Sequence, residues 1–198
     1  MAYSDKLLHL GDISLTLAAA AGIAAWLLAA RAWRVALWWS VLFAAGIGLV
    51  GASKIAYLAW GNALPGLEFK AASGHAAGIT AIAPLLFYLL IRHRGQAARA
   101  AAIAAGLALG VLMGVLLVTG GEHSAAEAMA GWMLGATVSL GGIWLAGDLP
   151  AQRPAHGMLC LAIVFATAAW MMRSFPFGYL MYRTARILSG NAVPFPWG

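Results

Sequence analysis

Long apolar runs dominate this 198-residue chain and restrict the folds open to it. Apolar runs of about 18 residues or more are candidate membrane-spanning helices. We count six, at residues 13–30, 35 to about 60, 74–91, 97–118, 124–146 and 157–172. Composition agrees, because 63% of the residues are hydrophobic and only 9% are charged, whereas about a quarter are charged in soluble domains. We therefore predict an all-α, polytopic membrane protein, a six-transmembrane-helix bundle forming one integral membrane domain over residues 1–198.

Basic residues in the short connections predict the orientation of these spans, because Lys and Arg are enriched in cytoplasmic loops. The connections after the first, third and fifth runs, or just beyond them, carry Arg31, Arg34, Arg92, Arg94, Arg99 and Arg153. The opposite side carries Asp5, Asp12, Glu68 and Glu122. We expect the side that carries these arginines to be cytoplasmic. The C-terminal Arg173, Arg183 and Arg186 conflict with this rule. Either the number of spans is off by one, or these arginines serve another role, of which anchoring at the membrane interface is preferred.

Glycines at four-residue spacing mark the fourth and fifth runs. They are Gly106, Gly110, Gly114, Gly131 and Gly135. Small residues at this spacing let helix backbones approach closely. We expect them to serve packing within the chain rather than a dimer interface.

Two polar clusters interrupt the apolar sequence, and the predicted orientation places both on the outer face. One is Ser73-Gly74-His75, where the third run begins. The other contains His123 and Glu127, where the fifth run begins. Ionisable groups are costly near a bilayer and by default mark function. The pairing predicts an enzyme that acts on a molecule held at the membrane surface.

The second cluster has the spacing of a catalytic pair. His123 and Glu127 are four residues apart and would share one face of a helix that starts near Glu122. A carboxylate in that place can fix the tautomer of the imidazole and raise its basicity. Such a histidine is prepared to act as a base or a nucleophile.

The first cluster has the features of an anion site. Ser73 and Gly74 open a helix whose first N–H groups lack backbone partners, and such an end binds anions. Lys54 and Lys70 add positive charge on the same side. Together with two histidines and a carboxylate, these features predict phosphoryl chemistry.

These residues resemble the signatures of the type 2 phosphatidic acid phosphatase superfamily of lipid phosphatases. Ser73-Gly74-His75 is similar to the second signature, usually Pro-Ser-Gly-His. His123-x-x-x-Glu127 is similar to the end of the third, His-x-x-x-Asp. The first signature, Lys-x6-Arg-Pro, is matched only at Lys54. The resemblance covers residues 54–135.

The resemblance implies a role for each residue. His123 would attack phosphorus and form a phosphohistidine, Glu127 would orient His123, and His75 would protonate the leaving oxygen. The phosphate oxygens would be held by Ser73, the backbone N–H of Gly74, and Lys54. Such a site needs no metal or other cofactor.

The chain lacks the two arginines of the family pattern. Gly61 and Asn62 stand where Arg-Pro is expected, and Leu117 stands where the third signature has its arginine. Arginine stabilises charge on a transferring phosphoryl group better than lysine does. Lys70 is therefore a candidate substitute, and the C-terminal arginines are a second source if the tail folds back.

Two further departures are milder. Ala72 replaces the proline of the second signature, which should only loosen a turn. Glu127 replaces the aspartate of the third, which keeps the charge and lengthens the reach.

The resulting prediction is a membrane lipid phosphatase or phosphotransferase that acts on a lipid phosphate or diphosphate at the outer leaflet. A bacterial inner membrane, with the site facing the periplasm, is the expected location. The alternative is a carrier or accessory membrane protein that binds a lipid phosphate without cleaving it. Metal or haem ligation by the two histidines is disfavoured, because no His-x-x-x-His or Cys pair supports it. A nucleic-acid partner is not expected, because the basic residues form no patch.

Overall fold

The computed structural model describes residues 11–61, 69–147, 154–191 and 193–195. This part of the chain forms seven helices in the order α1 (Ile13–Ala29), α2 (Trp33–Trp60), α3 (Gly74–Ile91), α4 (Gln96–Thr119), α5 (Ala125–Leu145), α6 (Pro154–Met172) and α7 (Phe177–Ser189). The predictions made for Asp5, Asn62, Glu68 and Arg153 lie outside the described residues.

The first six helices correspond in order to the six apolar runs. Helices α2 to α6 are each long and apolar enough to cross a membrane. Helix α1 has 17 residues, at the short end of the range of about 17–25 residues found for transmembrane helices. The predicted all-α, polytopic membrane fold is thus confirmed, and the chain is an integral membrane protein.

Helix α7 was not expected from the sequence. It has 13 residues, too few to span a bilayer, and it packs along α2. Met181 and Ala185, which are four apart, contact Leu58 and Ala59 there. Hydrophobic runs revealed the membrane helices, whereas α7 has apolar residues on one side only and so forms no run.

Helix α3 lies at the centre of the bundle. It packs against α1, α2, α4 and α5, and it is the most buried of the five long apolar helices. Short connections join α1 to α2, α3 to α4, and α4 to α5, so these neighbours are antiparallel. The starts of α1, α3 and α5 therefore meet the end of α2. We call this region, with Asp12, Lys54, His75 and His123, the polar end.

Glycines bring α4 and α5 close to α3. A Cβ added at Gly106 would lie 2.5 Å from the backbone nitrogen of Pro84, and one at Gly131 would overlap the carbonyl of Ser73. Similar overlaps with α3 exist at Gly110 and Gly135, whereas Gly114 makes only an ordinary contact, with Ala128 of α5. The predicted role of these glycines in packing within the chain is confirmed.

Alanine at Gly131 is expected to destabilise the protein by about 1–3 kcal/mol, because its methyl group would press on backbone that cannot rotate away. Gly48→Ala on α2 is the matched control, since a Cβ there meets nothing within 4 Å. The control should be neutral or stabilising by up to about 1 kcal/mol, because alanine favours a helix interior more than glycine does. Unfolding of the detergent-solubilised variants measures both effects. Equal stabilities would contradict the close contact of α5 with α3.

Candidate active site

The carboxylate of Glu127 is the centre of the polar end. Its Oε1 accepts the backbone N–H groups of Lys70, at 2.7 Å, and Ala71, at 3.3 Å. Its Oε2 lies 2.7 Å from Nδ1 of His123 and accepts the N–H of Ser124 at 3.1 Å. Glu127 is only 4% exposed. A buried carboxylate is tolerated when hydrogen bonds satisfy both of its oxygens, as they do here.

Local sequence explains why Glu127 points this way. Ser124 caps α5, its Oγ accepts the N–H of Glu127 at 3.2 Å, and the Glu127 side chain accepts the Ser124 N–H in return. This Ser-x-x-Glu arrangement is a capping box. The helix therefore begins after Ser124 rather than near Glu122, and His123 precedes it. The predicted contact between His123 and Glu127 is nevertheless present.

The segment 70–73 is held in position by hydrogen bonds from its own four backbone N–H groups. Those of residues 70 and 71 donate to the Glu127 side chain, and that of Ser73 donates to the Glu127 carbonyl at 3.0 Å. The N–H of Ala72 donates to Oγ of Ser53 on α2 at 3.2 Å. A proline could not make this bond, because it has no N–H. The expectation that Ala72 only loosens the turn was therefore wrong, since Ala72 ties the turn to α2.

This segment presents the start of α3. Ser73 is fully buried, and its Oγ accepts the N–H of Ala76 at 3.4 Å as the cap of the helix. The hydroxyl therefore has a structural role, and phosphate binding by Ser73 stays a prediction. Among the described residues, no partner is seen for the backbone N–H groups of Gly74 and His75. The first N–H groups of a helix are available to an anion in this arrangement.

Lys54 supplies positive charge at the same point. A Cβ built on Gly74 would lie 3.6 Å from Nζ of Lys54, so the ammonium group sits over the start of α3. It attracts Glu127 electrostatically and repels a protonated His75. The structure thus accounts for Lys54, a charged residue within an apolar run of the sequence, because its ammonium group lies at the polar end.

A cavity of about 330 Å³ opens beside these groups. Its polar lining comes from Asp12, Lys54, Gly74 and His75. Its apolar lining is from α1, α2 and α7: Ile13, Leu17, Ile47, Val50, Phe177 and Met181. A small set of polar groups within an apolar concave surface is typical of ligand sites.

Sequence reasoning missed the partner of His75. Nε2 of His75 lies 3.2 Å from Oδ1 of Asp12, which directly precedes α1. The signal was present, since Asp12 is an acidic residue next to an apolar run on the predicted outer side. Nothing in the sequence pairs residues 63 positions apart, so the pairing required the packing of α1 on α3.

Lys70 takes part through its backbone. Its Nζ lies 5.9 Å from the centre of the Tyr57 ring, a cation–π distance. The structure therefore brings the main chain of Lys70 to Glu127, and its side chain to Tyr57. A direct role of this ammonium group in phosphate binding stays a prediction.

The positions where arginines were expected have other structural roles. Leu117 is buried with Met113 against Ala76 of α3. Gly61 ends α2 with φ at 64°, a left-handed conformation that favours glycine. Neither position can supply a guanidinium group.

The C-terminal arginines lie away from the cavity. Arg173 is placed over the Trp170 ring at 5.3 Å. Arg183 and Arg186 line a separate surface groove. Helix α7 does reach the cavity, but with the apolar residues Phe177 and Met181.

Comparison with known proteins gives three findings. The PAP2 superfamily matches residues 54–150, which include His75, His123 and Glu127. An uncharacterized 22.5 kDa protein in the cps region of Klebsiella pneumoniae is 31% identical over 159 residues, covering 78% of this chain and 76% of that protein. No solved structure matches significantly. Within the described residues, no group of three or more His, Cys, Asp or Glu could hold a metal ion.

Proposed function

This chain belongs to the PAP2 superfamily, and from that premise we propose that its polar end hydrolyses a lipid phosphate or diphosphate. The membership supports a phosphatase-type lipid function. The observation that carries the proposal is the buried 2.7 Å pair of His123 and Glu127. A histidine next to a carboxylate is the arrangement expected of an activated nucleophile.

The first step uses the ring nitrogen of His123 that faces away from Glu127. The carboxylate accepts the Nδ1–H, so the lone pair is on Nε2. Nε2 attacks phosphorus, and the bond from phosphorus to the ester oxygen breaks. His75 gives that oxygen a proton as it leaves. Water then attacks the phosphohistidine, the N–P bond breaks, and His75 takes the proton of the water.

The phosphoryl group would be held at the start of α3. The backbone N–H groups of Gly74 and His75 can donate to its oxygens, and the ammonium group of Lys54 can neutralise part of its charge. Donors fixed in place before the reaction stabilise charge that develops in the transition state. In this proposal Lys54 and the backbone N–H groups at the start of α3 supply part of the charge stabilisation that the missing arginines would provide. The proposed reaction uses no metal.

The lipid part of the substrate would lie against the apolar lining of the cavity. Leu17, Ile47 and Val50 belong to apolar helices, so an acyl or prenyl chain could pass from the cavity into the bilayer. The substrate class is therefore a phosphate or diphosphate ester of a lipid. The excess of basic residues in the other connections favours a site that faces outward, from a bacterial inner membrane toward the periplasm.

A second candidate follows from Leu117 and Gly61. Because neither expected arginine position carries a cation, the site could hold a lipid phosphate without stabilising the transition state. The protein would then be a carrier or accessory protein. The two candidates share the binding step and differ in turnover.

Phosphate release by the purified protein separates them. A panel of phosphatidic acid, a polyprenyl phosphate and a polyprenyl diphosphate would be supplied in detergent, with and without a chelator of divalent cations. We expect release from at least one lipid at an equal rate in both conditions. Binding without release would favour the carrier. Neither binding nor release would overturn the proposed site.

A further inference from the structure

The chain just before α1 packs directly on His75. A Cβ added at Gly11 would lie 2.8 Å from the Cβ of His75 and 2.9 Å from its Cδ2. Only glycine allows so close an approach. Asp12 follows at once, and its Oδ1 is 3.2 Å from Nε2 of His75.

Asp12 does not cap α1 with its side chain. It is the N-cap residue of α1, where aspartate usually accepts an N–H from the first turn. No such capping bond is present. The carboxylate is directed to His75 instead.

Contacts of Thr16 keep Gly11 and Asp12 in position beside His75. The hydroxyl of Thr16 donates to the carbonyl of Gly11 at 3.5 Å. The side chain of Thr16 also fills the space in front of Gly78 on α3, where a Cβ would lie 2.5 Å from the Thr16 Oγ1. Two glycine contacts, at Gly11 and Gly78, thus fix α1 against α3 and place Asp12 beside His75.

The two histidines are paired in opposite senses. Glu127 contacts Nδ1 of His123, which leaves Nε2 for chemistry. Asp12 contacts Nε2 of His75, which leaves Nδ1. The His123 side chain is 7% exposed and the His75 side chain is 32% exposed. The more open ring is the one that must meet a leaving group.

We infer that Asp12 is a positioning residue for His75 in the proposed phosphatase reaction, an inference that rests on that proposed function. The carboxylate accepts the Nε2–H of His75 and directs Nδ1–H toward the leaving oxygen. It also offsets the repulsion that Lys54 and His123 exert on a protonated His75. The proton passes from Nδ1 to the leaving oxygen, and the attacking water later restores it.

The test compares two leaving groups in one preparation. An alkyl phosphate needs a proton on its leaving oxygen, whereas a nitrophenyl phosphate scarcely does. Asp12→Asn should lower kcat/KM for the alkyl phosphate by about 10-fold to 100-fold and leave kcat/KM for the nitrophenyl phosphate within about 3-fold, because kcat/KM reports the steps up to departure of the leaving group and not the later attack of water. The ratio of the two rates does not depend on the fraction of folded protein. Asp12→Glu should restore part of the ratio.

Two further variants complete the test. Glu122→Gln removes an exposed negative charge from the same end and should leave the ratio unchanged. Asp12→Asn added to His75→Ala should cause no further change, because residues that act as one unit are not additive. An equal loss on both substrates, or a further loss in the His75→Ala background, would overturn the positioning role. A wild-type protein that hydrolyses no phosphate at all would overturn the proposed function as well.

Discussion

Replacing His123 with alanine is expected to lower lipid phosphate turnover by roughly 10⁴–10⁶-fold, because it removes the proposed nucleophile. Binding of the substrate should persist, since Lys54 and the start of α3 are unchanged. Phosphate release and lipid phosphate binding, each measured on the purified variant, check the two parts separately.

His93→Ala is the matched control for this variant. His93 follows α3 at the end opposite to His75 and is exposed. It should retain wild-type turnover. Full activity of His123→Ala would contradict the mechanism, whereas equal loss in both variants would show that the effect is not specific to the site.

The Glu127→Gln variant should lose both activity and stability. All four partners of the carboxylate are donors: His123 and the N–H groups of Lys70, Ala71 and Ser124. An amide would turn its NH₂ group toward two of them. We expect a loss of about 2–5 kcal/mol of unfolding free energy, because buried donors are left unsatisfied. Turnover should fall by about 10²–10⁴-fold, because His123 is no longer oriented.

Glu122→Gln is the control for this substitution. Glu122 is exposed and lies five residues before Glu127. Its unfolding free energy should stay within about 0.5 kcal/mol of wild type, with unchanged turnover. For both variants, unfolding in detergent gives the unfolding free energy and phosphate release gives the turnover. Wild-type stability of Glu127→Gln would contradict the four-bond arrangement.

Much of the fold could be predicted from the sequence, because the bilayer requires long apolar helices. The pairing of His123 with Glu127 could also be predicted, since it depends on spacing within one short segment. The location of α7 could not, because its contacts with Leu58 and Ala59 join distant parts of the chain.

The site shows the same division between local and distant contacts. The Ser-x-x-Glu pattern at Ser124 is local and typical of a capping box, yet the helix start was expected near Glu122 rather than after Ser124. The bonds from segment 70–73 to Ser53 and Glu127 arise only after α2, α3 and α5 have packed. The resemblance predicts that Ser73 binds phosphate, whereas in the structure its buried hydroxyl accepts the N–H of Ala76 as a helix cap.

The central claim is that His123 carries the phosphoryl group during turnover. Rapid quenching of the protein with a lipid phosphate labelled at phosphorus tests it most directly, followed by analysis under alkaline conditions that preserve phosphohistidine. We predict a label on His123 that disappears as phosphate is released, with no label in His123→Ala. Turnover of the lipid without any label on His123, or with a label that His123→Ala retains, would contradict the account.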